Sequence, residues 1–482
     1  MDSENKGYFE LFEPNTEETA LPLDWKTVLV AALVGMAAGV AMYLAGLASM
    51  AWIPAGLLFG TACSISICKR VPDPGRGMIW GLGFSFLTAL VLFGLDNTVF
   101  MRIGFQNRAR VFPNIIKITL GMGAPVGLVL GGWNAVTKNQ DREPIKVTRG
   151  VITGGLAGLI AGLIIQPWLA DHGINILIAD FLGDPTGVTG FVFHLFVTTS
   201  IGIIYGLLFQ RDARGFGSSI AWGFAYGFFW WMLGVMTLEP LINGQAVTWS
   251  VAEGQQAMSS FVAHGLYGVL LGLIYSVFDH IWIIMFYESD PLYMSVRGPG
   301  YKNIQSLKWG SISAIPGGII YTVFVWQVGL SGYISGIIGM DSAVAGVFVT
   351  MFFAVVIGMI YGVLFRYESP NLGTAVVWGF IYGVIWWYVG VLTLLPLIVQ
   401  GSPLWDQATI DHGIPLLIAQ MAYGSITAGV FYIFEYREKA WECVDPNTRA
   451  TEEIRRRKVG TSAPAVWMFT LGMAVFVLLL LM

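Results

Sequence analysis

Apolar stretches of about 20 residues recur from residue 26 to the end of this chain, with charges kept to their ends. The hydrocarbon core of a bilayer needs roughly 17–25 such residues per helix. Inside it, only helices and closed barrels satisfy their own backbone N–H and C=O groups. The stretches lie at 26–48, 51–68, 77–95, 115–136, 149–169, 188–209, 218–242, 257–278, 308–328, 342–365, 373–399, 413–435 and 464–482. An all-α integral membrane protein of about 13 transmembrane helices is therefore expected. Only 12% of the residues are charged, against about 25% in soluble domains. A surface this poor in charge is suited to lipid, and the lipid bilayer is the first partner the sequence implies.

Lys and Arg give the orientation, because they concentrate in cytoplasmic loops. With the N-terminus inside, all but four of the 26 Lys and Arg fall on the inner side, among them Lys69, Lys146, Lys302 and the run 455–458. The exceptions, Arg102, Arg108, Arg110 and Lys117, sit together in or beside one outer loop. The expected location is the cytoplasmic membrane, multi-pass, with the N-terminus cytosolic and the C-terminus outside. The first residues are acidic (Asp2, Glu4, Glu10, Glu13) and precede no small-residue cleavage site, so they do not read as a signal peptide. Of the three cysteines, Cys63 and Cys68 fall in a span and Cys443 in an inner segment, with no metal spacing.

The chain also repeats itself. Residues 222–242 match 378–398, 201–209 match 357–365, and the span at Gly265 matches that at Met421, all at a separation of 156. A fainter copy precedes them, aligning Trp80 with Trp222 and Gly127 with Gly268. Three tandem four-helix repeats follow, at 26–138, 149–285 and 306–436. They are preceded by an acidic cytosolic segment, 1–25, and followed by a charged cytosolic loop, 437–463, and a C-terminal transmembrane anchor, 464–482. Even-numbered units keep the same orientation in the membrane, unlike the inverted repeats of many transporters. Gly at every fourth position, as in Gly154, Gly158 and Gly162, lets helix backbones approach where burial of apolar surface gives no drive. Trp230, Trp231, Trp386 and Trp387 lie mid-span, and their indole N–H groups need partners there. Pro240 and Pro396 are expected to stop or kink equivalent helices.

Polar side chains inside a membrane are candidates for function. His194 and His264 enter their spans from the outer face at similar depth, and Glu239 ends the helix between them. The equivalent positions of the third repeat hold Thr350, Gln420 and Leu395, and the first has Gly123 opposite His264. The architecture does not require this polar set, because the other repeats do without it. Three readings fit the histidines. They are axial ligands of a haem, a divalent-metal or proton site with Glu239, or buried neutral groups hydrogen-bonded locally. An outer mouth is expected to carry Asp171 and His172 in one loop and Asp411 and His412 in another, and to attract cations.

No H-E-x-x-H, P-loop or G-x-S-x-G triad is present, so no hydrolytic or ATP-driven chemistry is expected and the chain reads as a non-enzyme. No basic run with interleaved aromatics suggests nucleic acid. The functions that fit are a channel or carrier for a small solute, ion or proton, or alternatively a cofactor-binding or scaffold subunit of a membrane electron-transfer complex.

The middle repeat resembles the YagU-like inner-membrane proteins, a family of small four-span proteins. The residues that carry the likeness are Phe193 and His194 in its second span, Pro240 and Leu241 ending the third, and Ala263, His264, Gly265 and Leu266 opening the fourth. The resemblance covers about 188–280 and implies a cytoplasmic-membrane location. It implies no activity. This chain departs from that pattern in having three units, of which only the middle one keeps both histidines.

Overall fold

A computed structural model describes residues 23–99, 108–138, 145–171, 176, 187–213, 215–287, 299–366, 368–369, 371–403, 405–442 and 463–481. Among these residues there is no strand. The helices are α1 (Trp25–Leu44), α2 (Trp52–Ile67), α3 (Pro74–Val99), α4 (Arg108–Ile116), α5 (Ala124–Thr137), α6 (Val147–Asp171), α7 (Gly187–Phe209), α8 (Phe216–Trp230), α9 (Glu239–Ile242), α10 (Val251–Gln256) and α11 (Met258–Tyr287). They continue with α12 (Pro299–Gln327), α13 (Ser331–Ser335), α14 (Ala343–Leu364), α15 (Leu372–Trp386), α16 (Leu395–Gln400), α17 (Gln407–Glu442) and α18 (Ala463–Leu481). π-turns join α4 to α5 (Lys117–Gly123), α8 to α9 (Trp231–Leu238) and α15 to α16 (Trp387–Leu394).

Each apolar stretch of the sequence contains a helix among the described residues, and eleven helical segments among them, against the 13 expected, are long and apolar enough to cross a membrane. One end differs from expectation. Asp411 and His412, expected in a loop, lie in the opening turns of α17.

The chain divides into two compact units. The larger holds Leu21–Met285, Ile385–Ile414 and Ala465–Met482. Described residues of the smaller lie within Phe286–Val384 and Pro415–Pro464. In the larger unit, helices meet through glycine. A Cβ on Gly35 would lie 2.1 Å from the Gly56 carbonyl oxygen, and one on Gly227 would lie 2.2 Å from that of His264. No side chain fits there, so α1 packs backbone-to-backbone on α2, and α8 on α11. In the smaller unit, Gly383 makes the same approach to the Gln420 carbonyl.

The C-terminal helix is more than the anchor that its apolar sequence suggests. Phe469 and Phe476 on α18 are fully buried. Phe469 meets Phe86 edge-on at 5.6 Å, and Phe476 stacks on Phe112 at 4.5 Å. The Gln255 amide donates to the Leu480 carbonyl. Apolarity marks a helix for the membrane but does not say whether lipid or protein covers it.

Hydrogen bonds recur at the spacing of 156. Tyr226 donates to the Ile201 carbonyl and Tyr382 to that of Ile357. Tyr267 donates to Thr198 at 2.8 Å and Tyr423 to Ala354 at 2.5 Å. Trp231 donates to the Ala257 carbonyl and Trp387 to that of Gly413, which are the partners their indoles need. Trp249 and Trp405 each donate to a threonine hydroxyl, Thr237 and Thr393.

The kinks at Pro240 and Pro396 take the form of the π-turns, each closed by a threonine hydroxyl on an opened carbonyl (Thr237 to Met232, Thr393 to Tyr388). The third π-turn precedes Pro125. Proline has no N–H for the carbonyl four residues back and clashes with it. A wider turn in front of the ring relieves both problems.

Two buried ion pairs hold the end of the larger unit at which α3 and α6 begin. Arg76 binds Asp212 through Nε at 2.9 Å and through Nη2. Arg149 grips Asp279 through both Nε and Nη2.

Candidate functional site

The site lies among α6, α7, α8 and α11, all in the larger unit. Its reference level is Thr198 on α7. Gly162 of α6 packs on the Thr198 hydroxyl, and Tyr267 of α11 donates to the Thr198 carbonyl. Tyr226 of α8 bonds the same helix at Ile201. Residues three or four apart share a helix face. One turn further from the Arg149 end, the four faces therefore present Gln166, His194, Trp230 and His264.

His194 and His264 are within electrostatic reach of each other. The His264 Nδ1 lies 2.8 Å from the Ser260 carbonyl and 3.2 Å from its hydroxyl. A carbonyl only accepts, so Nδ1 carries the hydrogen and Nε2 is left as an acceptor. The Gln166 Oε1 and His194 Nδ1 atoms are buried and make no hydrogen bond, and the buried Trp230 Nε1–H, without a bond of good geometry, interacts with the Tyr226 hydroxyl. The Trp230 ring stands edge-on to Tyr226 at 6.0 Å. Unmatched polar atoms are expensive in an apolar interior, and these three lie about one turn from the Thr198 level.

Of the residues 156 positions further along, two are closed. The Thr322 and Thr350 hydroxyls, at the places of Gln166 and His194, bond the carbonyls of Gly318 and Gly346 on their own helices at 2.7 Å. Gln420 stands at the place of His264, and its Oε1 is buried without a partner.

Glu239 does not join the histidines. Gly227 is level with His264, and Glu239 is twelve residues further along the chain, about three turns away across the π-turn. It sits exposed beyond the π-turn. Among the described residues no three His, Cys, Asp or Glu side chains gather to hold a metal ion. The expected metal site of His194, His264 and Glu239 is therefore not formed.

Of the outer-mouth residues, Asp171 ends α6 and Asp411 is exposed on α17. His172 and the side chains of Asp171 and His412 lie outside the described residues. The two segments are neighbours, because Trp168 and Trp405 meet with ring centroids 5.0 Å apart.

Gln166 and Trp230 are the members of the layer that sequence reasoning did not select for function. Gln166 is uncharged and adjoins Pro167 and Trp168, which read as the end of a span. Its signal was available, because a polar residue inside an apolar stretch recurs 156 positions on as Thr322.

These features define a polytopic, all-α membrane protein in which four helices carry polar side chains near one level. No family model, characterised protein or solved structure matches the chain.

Proposed function

We propose that this chain is a non-enzymatic channel or carrier for a small solute, and that the layer of Gln166, His194, Trp230 and His264 is its binding site. The observation that carries this reading is the set of three buried polar atoms without a bond of good geometry near one level. The third copy supports it, since two of its equivalent groups close on their own helices. In this reading the chain consists of three tandem four-helix units and a final helix in the cytoplasmic membrane, N-terminus inside. The paired hydrogen bonds 156 residues apart support the second and third units.

The haem alternative keeps one point in its favour. A ligating imidazole commonly donates its other N–H to a carbonyl, as His264 does to Ser260. The surrounding packing counts against it. A porphyrin between the rings would part α7 from α11 one turn from the Tyr267–Thr198 bond, beside the backbone contact of Gly227 with His264.

Purified protein in liposomes tests the proposal. It is expected to be colourless and to raise the permeability to at least one small solute. Permeability equal to that of protein-free liposomes across neutral solutes, ions and protons would refute it, and so would a haem absorption band lost in His194→Ala.

A further inference from the structure

The chemistry of the layer also selects its solute. We infer that the layer takes a small uncharged molecule that donates at least two hydrogen bonds and accepts one, such as ammonia, methylamine or urea. This rests on the site proposed above. The walls are one fixed acceptor, one fixed donor and two adaptable groups.

The His264 Nε2 accepts once Nδ1–H is committed to the Ser260 carbonyl, and the Gln166 carboxamide presents its unpartnered oxygen or, turned over, its NH2. The Trp230 Nε1–H donates only. The His194 Nδ1 does either, by tautomer.

Charge is what the layer lacks. Among the described residues no carboxylate stands at this level. Glu239 is exposed on the far side of the π-turn, and the ion pairs of Asp212 and Asp279 are taken by Arg76 and Arg149 at the opposite end. A cation would enter hydrocarbon surroundings with no counter-charge, at high cost. Two imidazoles in mutual reach do not both ionise, since like charges at close range oppose each other. An anion would find no cation at this level and the fixed lone pair of the His264 Nε2 against it. A neutral donor satisfies all four groups and leaves nothing charged behind.

The third copy supplies the contrast. Thr322 and Thr350 have no hydroxyl hydrogen to spare from their own helices, so that unit offers a smaller set to a solute.

The experiment uses the full chain in liposomes with separate arms for urea, methylamine, potassium, sodium and protons. Urea entry is read by light scattering, methylamine entry by an internal pH dye, and ion movement by a potential-sensitive dye. The expected result is entry of the neutral solutes well above protein-free vesicles. In His264→Leu and in Gln166→Leu it should be roughly tenfold lower, as fits one lost hydrogen bond, with His264→Gln retaining more because its carboxamide oxygen still accepts. Each variant is first shown to elute as a single species. Should a variant fail that control, His264→Gln and the wild-type selectivity alone decide the matter.

Ion or proton movement without neutral entry would overturn this inference and leave the carrier proposal standing. Neutral entry unchanged in both leucine variants would overturn the inference. No movement in any arm would overturn the carrier proposal itself.

Discussion

Arg149 on α6 and Asp279 on α11 tie these two helices together, and cutting that tie has a calculable effect. Their side chains are 12% and 4% exposed, and the guanidinium makes two parallel bonds to the carboxylate. Removing one partner strands the other charge where water does not reach. Such changes cost about 3–5 kcal/mol, whereas replacing both partners with apolar groups of similar size is often neutral. Arg149→Met and Asp279→Leu are each expected to destabilise the folded protein by about 4 kcal/mol. The double variant is expected to lose about 1 kcal/mol or less, a coupling of several kcal/mol. Unfolding in mixed detergent micelles with rising SDS, followed by tryptophan fluorescence, measures all four species. A double variant as unstable as the sum of the two singles would refute the reasoning, because it would mean that each side chain is solvated or paired elsewhere.

Three further outcomes follow from the same structure. Gly227→Leu would place side-chain atoms on the His264 carbonyl, where even a Cβ would sit 2.2 Å away. It should abolish the monodisperse folded species in gel filtration, whereas Gly234→Ala, whose Cβ would meet nothing within 4 Å, should be tolerated. Tyr267→Phe and Tyr423→Phe remove equivalent bonds and should each cost about 1 kcal/mol in the SDS titration, and a cost for only one of them would count against equivalent roles. The backbone N–H of Thr27 binds the Asp24 carboxylate at 2.6 Å, and this bond, with lesser help from Lys138, holds the Asp24 carboxyl below its ordinary value. A lowered folded value stabilises above the ordinary aspartate range and loses its effect as pH falls through the folded value. Hydrogen exchange at the start of α1 should therefore quicken at acid pH in wild type but be insensitive to pH there, after correction for intrinsic rates, in Asp24→Asn.

Helix positions were legible because twenty apolar residues have few other uses. The shared depth of His194 and His264 was legible from topology and rise per residue. Grouping Glu239 with them was not sound, since lying at the end of a neighbouring helix says nothing of the three turns between. The π-turns had a readable cause in Pro125, Pro240 and Pro396, but the sequence does not distinguish a break from a widened turn. The first of them also sits on the fourth helix of its unit, while the other two sit on third helices. The role of α18 was hidden because buried and lipid-facing phenylalanines look alike in sequence. Gln166 escaped notice because an uncharged amide raises no alarm until its oxygen is found without a partner.

A short bifunctional thiol reagent applied to paired cysteines asks most directly whether the polar layer exists. With Cys63, Cys68 and Cys443 replaced by serine or alanine, cysteines at 194 and 264 should be bridged, as should those at 166 and 194, while a pair at 194 and 239 should not. Bridging of 194 to 239 with none to 264 would mean that the two imidazoles do not share a level, and the proposed site would go with them.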